Sequence, residues 1–151
     1  MKLLLLWVAL AAGPARELVL VVPPETPLMA RAGATFEVTL RFEVASGYHI
    51  NSNKPTLDYL IPTRLEWSSS KLKHLGDIFP QAVLRSFSFA PQKRLAVYEG
   101  RQTLKSRFAV PAEAPAGRLT LQGKLRYQAC DDKACYPPAS VDFQVPVEIR
   151  R

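Results

Sequence analysis

The chain has 151 residues, 48% hydrophobic and 22% charged, which is enough for one globular domain with its own core and excludes a disordered or fibrous chain. Thirteen prolines and seven glycines are spread along it, so many short elements separated by turns are expected and no long helix. The formal charge of +7 comes from dispersed basic residues, and the aromatics fall mostly at alternating positions, so no stacking platform for nucleic acid is expected.

Residues 1–15 open with Met1-Lys2, then the apolar run Leu3 to Ala12 with small residues at Ala9-Leu10-Ala11, and they read as a secretory signal. The run is far short of the roughly 20 apolar residues that cross a bilayer, and no later run reaches that length. Residues 16–151 are then one exported domain. In an oxidising compartment two neighbouring thiols are expected as a disulfide unless something reduces them.

Beyond the proline-rich stretch Pro23 to Pro27, Phe36, Val38, Leu40, Phe42 and Val44 alternate with polar residues, the period of a strand with one buried face. The same alternation returns in Leu104 to Val110, Leu119 to Tyr127 and Val141 to Ile149. Shorter candidates at Leu18 to Val22, Ile61 to Trp67, Val83 to Phe89 and Leu95 to Tyr98 supply a second layer. Turn residues part them at Gly47, Gly76, Pro91, Gly100 and Gly117. The sum is an all-β chain folded as an immunoglobulin-like antiparallel β-sandwich.

Gly47 to Pro62 has no clean period and reads as a long connection across one end of the sandwich, where functional residues concentrate. His49 within it could carry a proton or ligate a metal, although a partly buried histidine bonded to backbone accounts for it more simply. His74 has less context still. Two cysteines four residues apart and two isolated histidines do not match the paired short spacings of a zinc site, so no metal and no cofactor is expected.

The chemistry concentrates in Tyr127 to Pro138, which holds the only two cysteines, Cys130 and Cys135, between two strands. A ring this small stabilises a fold by only about 2 kcal/mol through chain entropy, against about 4.7 for a loop of a hundred residues, so it is a weak staple. It can open and close locally, as a redox pair must. Asp131 and Asp132 would raise the thiol pKa and Lys133 would lower it. Tyr136 and Pro137-Pro138 supply a rigid, partly apolar rim. Phe87 and Phe89, at alternating spacing before Pro91, fit ordinary core packing.

The segment Tyr127-Gln128-Ala129-Cys130, a short polar loop, then Cys135-Tyr136-Pro137-Pro138 resembles the active-site hairpin of the N-terminal periplasmic domain of thiol:disulfide interchange protein DsbD. Gly47-Tyr48-His49-Ile50, Ile61-Pro62-Thr63 and Val97-Tyr98-Glu99-Gly100 agree with it in order. The loop between the cysteines is one residue shorter than in the best-known members. The resemblance implies an immunoglobulin-like domain outside the cytoplasm in which Cys130 and Cys135 are the catalytic pair. It further implies a cap loop that shields the disulfide, carried here by Phe89 with Phe87 as second choice. Tyr127, Asp131, Asp132, Tyr136 and Pro137 would form the rim, with Tyr48 and His49 as accessory residues. The implied partners are thioredoxin-fold proteins, met through transient mixed disulfides formed by Cys135, and a membrane-embedded electron carrier on the same or a separate chain. The competing reading is a secreted binding sandwich in which the same two cysteines form a structural hairpin disulfide.

Overall fold

The computed structural model describes residues 17–68 and 71–151. The secretory signal expected at 1–15 lies outside them. The described residues form strands and turns and no helix. The strands are β1 (Val19–Val22), β2 (Leu28–Arg31), β3 (Thr35–Val44), β4 (His49–Asn51), β5 (Arg64–Ser68) and β6 (Lys73–Ile78), followed by β7 (Val83–Arg85), β8 (Leu95–Tyr98), β9 (Arg101–Ala109), β10 (Gly117–Tyr127), β11 (Ala129–Cys130) and β12 (Ala139–Arg150).

They assemble into three four-stranded sheets, ordered β1-β3-β9-β6, β2-β12-β10-β5 and β11-β4-β8-β7. The first two are the faces of an immunoglobulin-like sandwich, and the alternation in the sequence explains why. Val38, Leu40 and Phe42 on β3 and Leu104 and Phe108 on β9 share one core with Leu121 and Leu125 on β10 and Val145 and Val147 on β12. Outward positions on paired strands carry opposite charges, as in Lys105 with Glu37 and Arg126 with Glu66. Gly123 stands opposite Phe143, and a methyl group there would clash with the ring. The phenyl ring fills the space a side chain would need, and Trp67 meets it edge-on at 5.4 Å.

The structure departs from the sequence-based expectation in four places. One strand pair, β2 with β12, is parallel. The third sheet takes β4 and β11 from segments expected to be loop, and Gly47, at φ 82°, makes the turn into β4. Strand β6 goes unseen because a bulge between His74 and Gly76 breaks its period. Two expected strands are shorter: β5 starts only at Arg64, beyond Pro62, which has no backbone donor, and β7 ends at Arg85, because Phe87 to Ala90 closes a turn through Ala90 N–H to Phe87 C=O, 3.0 Å.

The small third sheet positions the cysteines. Ile50, Tyr98 and Ala129 root it in the main core, and Tyr98 meets Phe42 edge-on at 6.0 Å. On its other side lies a second apolar cluster of Leu60, Phe87, Leu95 and Val97.

Candidate functional site around the cysteine hairpin

Strand β11 ends at Cys130, which pairs with His49 of β4, and Ala129 pairs with Ile50. The chain turns through Asp131 to Ala134 and returns at Cys135, bonded to Cys130 as a disulfide. Tyr136 N–H donates to Ala129 C=O (2.8 Å) and Asp131 N–H to Ala134 C=O (2.9 Å). Cys130 is fully buried, whereas Cys135 is half-buried beside the second apolar cluster. The two cysteines therefore differ in burial.

Asp131 builds the turn. One carboxylate oxygen accepts from Lys133 N–H (2.8 Å) and Ala134 N–H (2.9 Å), and the other accepts from the Tyr136 hydroxyl (2.7 Å). The Tyr136 hydroxyl, with help from the two backbone donors, holds the Asp131 carboxyl down at about 2. Reciprocally, donation to Asp131 holds the Tyr136 phenol up at about 12. The visible work of Asp131 is thus to shape the loop, a local role that its position next to a cysteine had suggested only as charge. Asp132 and Pro137 are exposed, and Tyr48 approaches Tyr136 with ring centroids 6.0 Å apart. Tyr127, expected on the rim, is instead buried in the main core.

Gln128 is the residue that sequence reasoning missed. Its side-chain oxygen accepts from the Asn51 amide (3.0 Å) and from Ile61 N–H (3.2 Å), and its amide nitrogen donates to Tyr136 C=O (3.4 Å). Asn51, fully buried, also donates to Ile61 C=O (3.0 Å), and its own C=O accepts from Thr63 (2.5 Å). One glutamine thus ties the cysteine hairpin to both ends of the Gly47 to Pro62 segment. That segment is a pinned frame with a strand inside it.

Phe87 is buried and Phe89 half-buried, their rings stacked at 5.4 Å, and both pack in the cluster that Cys135 touches. The Ser88 hydroxyl donates to Asp132 C=O at 2.6 Å, which latches this turn onto the cysteine loop. His49 stacks under Phe87 at 4.0 Å and is buried, and its Nε2 has no hydrogen-bond partner among the described residues. Burial pushes its pKa below the ordinary 6.5, against the opposing pull of Glu99, Asp132 and Asp131. A cleft of about 470 Å³ runs alongside, lined by Glu43, Tyr48, His49, Phe87, Glu99 and Asp132. His74 lies elsewhere, on β6, bonded to Asp77 at 2.9 Å. Among the described residues no three histidine, cysteine or acidic side chains converge as a metal site.

The sequence profile of the family described as thiol:disulfide interchange protein DsbD, N-terminal, matches residues 18–146. No curated protein sequence matches the chain. Among solved structures, the N-terminal domain of Neisseria meningitidis DsbD in the reduced form is similar at 20% identity and TM-score 0.50, covering 78% of this chain and 85% of that one. The N-terminal periplasmic domain of ScsB from Proteus mirabilis is similar at 12% identity and TM-score 0.57, with 89% of this chain covered. This chain spans about half of that one, 47%. At these identities the two structures speak for the fold, and the family match over most of the chain carries the assignment: this chain belongs to the DsbD N-terminal domain family.

Proposed function

We propose that this domain is an extracytoplasmic thiol–disulfide exchange module that passes reducing equivalents from a membrane-linked, thioredoxin-like donor to oxidised thioredoxin-fold partners. The observation that carries the reading is the local Cys130–Cys135 disulfide, in which Cys130 is fully buried and Cys135 half-buried. Membership of a family named for thiol:disulfide interchange supports it. The difference in burial supports an order of events. In the reduced domain the Cys135 thiolate attacks one sulfur of the partner's disulfide, forming the mixed disulfide and expelling the partner's other sulfur as a thiolate. Cys130, deprotonated, then attacks the Cys135 sulfur. The internal disulfide re-forms, the partner leaves as a dithiol, and two electrons have moved to it. The donor reverses these steps by attacking Cys135.

Phe87 and Phe89 act as the shield in this reading, supported by their packing with Cys135 and by the Ser88 latch to the hairpin. A partner must displace them, and the exposed Tyr59, Ile61 and Tyr136 offer apolar surface for docking. The experiment is a trap. Cys130→Ala, with Cys135 kept, should accumulate a mixed disulfide with an oxidised thioredoxin-fold protein, while Cys135→Ala should not. Equal trapping by both variants would overturn the order, and trapping by neither would leave the disulfide a staple.

A further inference from the structure

His49 lies opposite Cys130 on β4, is 3% exposed and leaves Nε2 without a partner among the described residues. Its ring is parallel within 20° to Phe87, and Phe87 within 11° to Phe89, so the three rings form one column. The column runs from the strand that pairs with the buried cysteine to the side chains packed with the reachable one. Of the three rings only the one at the base can take up a proton.

Building on the exchange and shielding reading above, we propose that His49 is a positioning residue: its uncharged imidazole holds Phe87 and Phe89 beside Cys135, and a charged imidazole releases them. Both ring nitrogens of a charged imidazole are donors, and with the column closed Nε2 has nothing to donate to. Opening gives it the adjoining cleft, where Glu99 and Asp132 also lie. The charged groups that face the ring are Glu99, itself paired with Arg85 at 3.0 Å, and Asp131 and Asp132 of the cysteine loop. All three carboxylates favour a proton on the ring, and burial outweighs them. The sign follows from linkage. A group held below its ordinary 6.5 in the closed form stabilises that form fully above 6.5 and progressively less as the pH falls below it. The disulfide therefore becomes easier to attack in acid.

The test is the rate at which a phosphine reductant opens the disulfide of the oxidised domain, from about pH 8 down to about pH 4.5, read by thiol labelling. Each rate is divided by that of an unshielded peptide disulfide, which removes the reagent's own titration. The normalised wild-type rate should rise several-fold as the pH falls. His49→Phe, which keeps the ring and loses the proton, should start from the wild-type value at high pH and stay flat. His49→Ala should be fast throughout. A flat wild-type profile, or an identical rise in folded His49→Phe, overturns the inference. Phe87→Ala separates this failure from failure of the shield: a fast Phe87→Ala with a flat wild type removes the role of His49 alone, and a slow Phe87→Ala removes both.

Discussion

The sandwich and the small sheet at its end are stabilised by different physics. In the sandwich, the four long strands, of 9 to 12 residues, bury every second side chain, and the buried side chains are apolar apart from Ser106. In the small sheet, strands of 2 to 4 residues bury His49 and Asn51 beside apolar neighbours, and Ser52 is buried just beyond β4. Hydrogen bonds made by the side chains of Gln128 and Asn51, and those accepted by the Asp131 carboxylate, fix what short ladders cannot. Apolar burial gives a frame insensitive to detail, and polar clamps give a geometry that a local bond change can alter without unfolding the frame.

The largest expected effect breaks the comparison on the frame side. Phe108→Ala, at the centre of the sandwich, should cost about 3–5 kcal/mol in urea unfolding. The double variant Cys130→Ser, Cys135→Ser should lose all exchange yet cost only about 2 kcal/mol. If the cysteine variant proved as damaging as the core variant, the two regions would not be separable. Gly123→Ala comes next: the new methyl meets the Phe143 ring, and overpacking of this kind costs about 1–3 kcal/mol. It should leave the reactivity of the disulfide unchanged.

On the site side, Gln128→Ala removes the acceptor of Ile61 N–H and one of the two acceptors of the Asn51 amide, which keeps Ile61 C=O, a loss of about 1–3 kcal/mol for the two bonds. It should also speed reduction of the disulfide, because the hairpin loses its tie to Ile61. Equal reactivity of wild type and variant would make Gln128 part of the frame. The smallest effect is the pH dependence of the loop. With its carboxyl held at about 2, Asp131 stabilises the hairpin fully above its ordinary 3.8, and that support fades as the pH falls towards 2. Tyr136, held at about 12, contributes below its ordinary 10 and loses that contribution as the pH rises through 12. Asp131→Asn should bring the Tyr136 phenol down towards 10 in an ultraviolet titration.

The same division explains what the sequence made legible. Strands β3, β9, β10 and β12 declare themselves because one buried face writes a two-residue period into the chain. The cysteine pair stands out by composition alone. Strand β4 does not, because all three of its residues are buried and no alternation survives. Strand β11, of two residues, is too short to show a period, and the bulge at His74 and Gly76 hides β6. Gln128 and Asn51 look like ordinary polar loop residues, since their importance lies in partners 67 and 77 positions apart. The ring column was only half visible: the spacing of Phe87 and Phe89 hinted at a pair, but nothing local placed His49 beneath them.

The central claim is that the Cys130–Cys135 pair exchanges, and its reduction potential tests this most directly. Equilibration of the purified domain with glutathione and dithiothreitol buffers should give a value of about −180 to −270 mV, the range of exchanging pairs. A value below about −300 mV, where structural disulfides lie, would contradict the account and leave the hairpin a staple in a binding module.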